Sequence, residues 1–114
     1  MLEDAAGIRR VIIATGFVDL RKGIDGLAQI VGSKYDRNPF EKGTLFLFCG
    51  RRCDRMKELF REPDGFVLIY KRLSVRGGYQ WPGKQSEVRN LSWREFDWLM
   101  SGIDIDQPKA LKTE

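Results

Sequence analysis

The chain has 114 residues, 42% of them apolar and 11% aromatic, which is enough for one hydrophobic core and too apolar for intrinsic disorder. No apolar run approaches the roughly 20 residues of a membrane span, and Met1-Leu2-Glu3-Asp4 lacks the basic start and apolar stretch of a secretory leader. A cytoplasmic protein with no membrane partner is expected. The 20 basic residues exceed the 16 acidic ones by a net charge of +4, and the excess is local. Between Arg51 and Arg76, eight basic residues meet only Asp54, Glu58, Glu62 and Asp64, so this stretch carries the whole net charge.

In chain order, Gly7 to Thr15 reads as a strand around Val11-Ile12-Ile13-Ala14, stopped by Gly16. Asp19 reads as the N-cap of a helix from Leu20 to about Val31, with Leu20, Ile24, Leu27 and Val31 on one face and Gly32 as its stop. Gly23 and Gly26 weaken that helix, as glycines do where a neighbour must approach closely. Asn38-Pro39 marks a loop. Thr44 to Cys49 has no polar alternation and reads as a central strand covered on both faces. Arg55 to Arg61 fits either a short helix or a strand. The turn signal Glu62-Pro63-Asp64-Gly65, leading into Phe66 to Tyr70, favours a strand in an antiparallel hairpin. Val75 to Gly78 reads as a further turn, and Tyr79-Gln80-Trp81 as a short strand ended by Pro82. Ser92 with Glu95 has capping-box spacing and opens a second helix to about Met100, with Trp93, Phe96, Leu99 and Met100 as its apolar stripe and Gly102 as its end. The sum is an α+β domain over residues 1–105, with a mainly antiparallel sheet of four to five strands, two helices on one face and a loose polar tail over 106–114.

Two segments place cations where structure alone gains little from them. Arg21 and Lys22 would open a helix, where the dipole prefers negative charge, and with the helix amides they suit a phosphate. The competing reading pairs one of them with Asp25. Lys71 and Arg72 directly follow a strand, with Tyr79 and Trp81 next along the chain. A basic two-stranded ribbon fits a DNA major groove, and aromatics beside cations stack on unpaired bases. For Trp81, burial in the core is the preferred reading.

Other chemistries find little support. Cys49 and Cys53 supply half of a tetrahedral zinc set, and the chain has no histidine to complete it. No Walker loop and no Gly-x-Ser-x-Gly elbow occurs, so no nucleotide cofactor and no serine nucleophile is expected. The acidic residues lie scattered among arginines, a pattern of solvent ion pairs more than of a two-metal site. No catalytic, cofactor or metal residue is assigned.

The ordered set of segments resembles the small accessory protein, the product of the second open reading frame, of the insertion-sequence-66 group of bacterial transposable elements. The resemblance rests on Gly7-Ile8-Arg9 through Gly16, Asp19 through Leu27, Leu45 through Phe48 with Gly50-Arg51-Arg52 and Asp54, Tyr70 through Leu73, Gly78 through Pro82, and Leu99 through Asp104. It implies a role in transposition beside a larger transposase that carries the strand-transfer chemistry, with no catalytic motif in the small protein. Charge and resemblance together predict a DNA-binding accessory factor. Arg21, Lys22, Arg51, Arg52, Arg55, Lys71 and Arg72 are its expected phosphate contacts, and Tyr79 its aromatic contact. The rival reading is a protein adaptor that uses the same arginines on an acidic surface of the transposase or of a second copy, through an exposed hairpin edge.

Overall fold

Val11, Ile12, Ile13 and Ala14 leave no polar position between them, and such a strand needs both faces covered. The computed structural model, which describes residues 7–52, 54–72, 81 and 88–101, meets that demand with three layers. Strand β1 (Arg10–Ala14) leads through helix α1 (Ile24–Ser33) to strand β2 (Thr44–Cys49), which lies parallel to it. Strands β3 (Arg55–Glu62) and β4 (Gly65–Arg72) form an antiparallel hairpin. Strand β5 (Val88–Leu91) pairs antiparallel with β1, and helix α2 (Trp93–Met100) follows it. The order across the sheet is β4-β3-β2-β1-β5, which puts the all-apolar β2 in the centre. Every pairing among the described strands other than β1–β2 is antiparallel, in keeping with the expected α+β class.

The two helices lie on opposite faces of the sheet, not on one. Successive side chains alternate between faces. Ile12, Ala14, Phe46, Phe48 and Leu59 therefore pack with Leu27 and Val31 of α1. Val11, Ile13, Leu45, Leu47, Met56 and Phe60 pack with Phe96 and Leu99 of α2. A single helical layer would have left half of the β1 and β2 apolar surface wet, at a cost of about 25 cal/mol per Å².

Local differences from the sequence reading have local causes. Helix α1 starts at Ile24 with Gly23 as its N-cap, without a side-chain cap. Asp19 does not cap it, because the Asp19 carboxylate already accepts from the Arg21 N–H at 3.0 Å and closes a turn upstream. Gly32 lies inside α1. The residue that takes the left-handed conformation after the helix is Asp36 (φ 52), whose short polar side chain tolerates it. Lys71 and Arg72 lie within β4, not after it. Strand β5 falls where no strand was read, because its Arg89-Asn90 centre hides a four-residue edge strand from any periodicity. Trp81 is not in a strand. Its indole N–H donates to the Ala14 carbonyl at 2.8 Å, and its ring packs against the cluster on the α2 side, the preferred core role. The expected turn over Val75 to Gly78, Tyr79, Gly102, the boundary at 105 and the tail over 106–114 lie outside the described residues.

At α2 the capping box is as read and Phe96 and Leu99 are buried, whereas Trp93 of the expected apolar stripe is exposed. The Glu95 N–H donates to the Ser92 hydroxyl at 3.0 Å, and the Ser92 N–H donates to the Glu95 carboxylate at 2.9 Å. Arg89 adds a hydrogen bond to the same carboxylate at 2.9 Å. Partial burial pushes the Glu95 carboxyl up, but the Ser92 and Arg89 hydrogen bonds outweigh it and hold it below its ordinary value of 4.5. A depressed folded-state value contributes stability that is complete above pH 4.5 and is lost as the pH falls through the folded value. Ser92→Ala is expected to destabilise the fold by about 1 kcal/mol at neutral pH. Urea unfolding at pH 7 and along a descending pH series checks this: the loss should shrink as the pH falls through the folded-state value and Glu95 is protonated.

Candidate nucleic-acid interface

The end of β1 decides where the first basic segment goes. Gly16 takes φ 78 and turns the chain, and the Val18 N–H then donates to the Cys49 carbonyl at 2.9 Å. Leu20 settles against Gly50, where an added Cβ would come within 3.0 Å of the leucine methyl. The turn over 19–22 is thus pinned beyond the end of β2. Within it, Arg21 Nε donates to Asp19 Oδ1 at 3.0 Å and Arg21 Nη2 to Asp19 Oδ2 at 2.8 Å. Hydrogen bonds from the Arg21 side chain and backbone hold the Asp19 carboxyl at about 2, from an ordinary 3.8. The clamp is surface-exposed and salt-screened. Its consequence is that Arg21 reaches the surface with its charge matched by Asp19, while Asp25 takes no part. Lys22 lies on the same turn with its methylene stem back over Gly26, whose missing Cβ makes the room.

The second basic segment is set by the hairpin. Pro63-Asp64 forms a two-residue loop that pairs Glu62 with Gly65, and the register then runs to Lys57 opposite Tyr70 and Arg55 opposite Arg72. Because Leu59 and Leu68 of the same register pack on the α1 side, these four residues also face that side. Lys57 ties the hairpin to the turn: its ammonium donates to the Lys22 carbonyl at 2.8 Å and lies 5.9 Å from the Tyr70 ring centre. Tyr70 keeps 53% of its surface exposed. Arg55 Nε is shielded from solvent without a hydrogen-bond partner, and its closest acid is Asp54 at 3.8 Å. Two arginines directly opposite each other on neighbouring strands repel. An arrangement that the fold alone disfavours, beside an unsatisfied guanidinium donor, fits an external anion.

Turn and hairpin enclose a cleft of about 450 Å³ between Leu20, Arg21, Arg55, Lys57, Leu68 and Tyr70. A second hollow of about 390 Å³ shares Arg21 and Arg55 and adds Arg51, Arg52 and Asp54. The structure thus brings Arg21, Arg51, Arg52 and Arg55 together, with Arg72 across from Arg55 on the same face. It separates Lys71 from them. Lys71 pairs with Met56, faces the α2 side, and has its ammonium 3.9 Å from the Met100 sulfur. Tyr79 and Cys53 are outside the described residues. The sequence reading missed Lys57 and Tyr70, although the hairpin turn fixes their pairing by counting. The Cys49 thiol is buried and lies 3.4 Å from the Arg55 carbonyl, consistent with a core filler. Among the described residues no helix is long and apolar enough to cross a membrane, and no cluster of acidic or sulfur side chains suits a metal ion.

Comparison with known proteins agrees with the resemblance seen in the sequence. The chain is 33% identical over 109 residues to the uncharacterized protein y4jC of Sinorhizobium fredii (strain NBRC 101917 / NGR234), covering 96% of this chain and 91% of the relative. It is 37% identical over 100 residues to the uncharacterized protein y4hO of the same organism, covering 88% and 85%. No solved structure matches. The family model described as IS66 Orf2 like protein matches residues 9–110, a span that holds every described strand and helix. The chain therefore belongs to the IS66 Orf2-like family, accessory products of insertion-sequence elements.

Proposed function

We propose that this protein is a DNA-binding accessory factor for transposition of its insertion-sequence element, acts without catalysis of its own, and works beside a separate transposase in the cytoplasm. The observation that carries the reading is the convergence of Arg21, Arg51, Arg52 and Arg55 on one hollow, with Arg72 opposite Arg55 on the neighbouring hairpin strand. The hollow's arginines outnumber its two aspartates, Asp19 and Asp54, and a net positive surface suits a polyanion, whose phosphate contacts supply affinity through counterion release. Arg21 lines the same cleft, and Lys22 follows it on the turn with its stem over Gly26. Arg21 would exchange Asp19 for a phosphate, so its contribution is smaller than its exposure alone would give. Lys71, on the other face, is not a contact of this cleft.

The adaptor reading has its own support. Among the described strands β4 is a sheet edge, and such edges add strands from a transposase or a second copy. The two readings separate in one experiment. Fluorescence anisotropy of the protein with a labelled terminal-repeat duplex and a scrambled duplex, over a salt series, is expected to give salt-sensitive binding. Tighter binding to the terminal repeat would add sequence reading to phosphate contact. Absence of binding to either at low salt, with copurification of the transposase that survives nuclease, would replace this reading with the adaptor.

A further inference from the structure

The proposed DNA contact leaves open which form of DNA the cleft takes, and the layout of the hairpin bears on that choice. A ribbon that enters a duplex groove by its tip needs that tip free of negative charge. Here the tip is Glu62-Pro63-Asp64-Gly65, with two carboxylates that repel phosphates. The cations sit instead at the open end of the hairpin, where Arg55 faces Arg72. The α1-side surface of the hairpin is walled there by the turn over 19–22, and the wall makes a hollow and not a ridge. Tyr70 stands in that hollow, half exposed, one register step from the arginine pair and in contact range of the Lys57 ammonium.

A half-exposed tyrosine ring in a concavity is out of reach of bases stacked inside a duplex. It is within reach of a base that is already unpaired. One register step of two residues along a strand is about 7 Å, so a phosphate held between Arg55 and Arg72 leaves the adjoining base beside the Tyr70 ring. Farther along the same face, Arg61 lies 5.0 Å from the Phe66 ring centre and 5.5 Å from that of Phe40, and Phe40 is itself 58% exposed. Aromatic and cationic groups thus meet at both ends of this hairpin face, separated by Leu59 and Leu68, which pack against α1. Surfaces for unpaired strands combine backbone charge with base stacking in the same way.

Resting on the DNA-binding reading above, we infer that the cleft receives single-stranded DNA in preference to duplex, with a base stacked on Tyr70 and its flanking phosphate between Arg55 and Arg72. Stacking on Tyr70 would be sequence-tolerant, because every base offers a flat face. The occupant would be DNA unpaired at the element's ends or displaced during strand exchange.

The test is anisotropy of the full chain with a labelled 12-nucleotide oligothymidine and with a 12-base-pair duplex, for the native protein, Tyr70→Ala and Tyr70→Phe, with melting curves to verify folding. The single strand is expected to bind more tightly than the duplex. Tyr70→Ala is expected to weaken single-strand binding roughly tenfold or more while leaving duplex binding within about twofold, and Tyr70→Phe, which keeps the ring, should restore it. Duplex binding at least as tight as single-strand binding, or indifference of the single strand to Tyr70→Ala, would overturn the inference and leave the DNA-binding reading standing. Absence of binding to both would overturn the two together.

Discussion

Replacing Arg55 and Arg72 together by alanine is expected to cost nucleic-acid affinity without costing stability. The pair stands in direct cross-strand register on the open face of the hairpin. Like charges so placed destabilise a sheet by a few tenths to about 1 kcal/mol, so their removal should leave the melting temperature unchanged or slightly higher. Loss of two phosphate contacts should lower the slope of log affinity against log salt by about 1.8 on duplex and about 1.4 on a single strand. Lys71→Ala is the matched control. It removes one charge that directly adjoins Tyr70 and Arg72 in sequence but lies on the opposite face, beside Met100. Its salt slope should equal that of the native protein. Unchanged slope in the double variant, or an equal drop in Lys71→Ala, would show that the contact surface is elsewhere. The combination of weaker binding and undiminished stability separates a binding role from a structural one, because an arginine kept for the fold would take stability with it.

Phe48→Ala is expected to be the most damaging single substitution in the sheet. Phe48 lies in the central strand, has no exposed surface, and packs with α1 residues Leu27 and Val31 and with Leu59 of β3. Its removal opens a cavity where three elements meet, a change that costs about 3–5 kcal/mol. Whole-domain stabilities are about 5–15 kcal/mol, so the variant should melt far below the native protein and unfold at much lower urea. The same position also supports the cleft, since the next residue, Cys49, accepts the Val18 N–H that anchors the turn over 19–22. A Phe48→Ala protein that melts within a degree or two of native would mean that the α1 layer contributes little to the core.

The elements most legible in the sequence are those whose signals are local and redundant. The run from Thr44 to Cys49 announces a doubly covered strand by composition alone, and Ser92 with Glu95 announces a helix start by two reciprocal hydrogen bonds. The turn at Pro63-Asp64 settled Arg55 to Glu62 as strand against its helical spacing, because a tight turn between two such runs leaves no length for a helix to pack. What was hidden depends on partners distant in sequence. Asp19 has the chemistry of an N-cap, and only the competing Arg21 contacts show that it caps a turn. The placement of helices on opposite faces follows from which side of β1 the chain crosses, which no local pattern records. At the site, Lys71 and Arg72 look like one feature in sequence. The alternation of side chains along β4 divides them between faces. Lys57 and Tyr70 were recoverable by counting back from the hairpin turn, and neither type stands out in the chain without that count.

The most direct test of the central claim is to map DNA-induced shifts of backbone amide NMR signals on the full chain. If the α1-side cleft is the contact surface, adding oligonucleotide should move the amides of Arg21, Arg51, Arg52, Arg55, Tyr70 and Arg72 and leave those of α2, Trp93–Met100, in place. Shifts concentrated on α2 and the Lys71 side, or no shifts at low salt, would contradict the account.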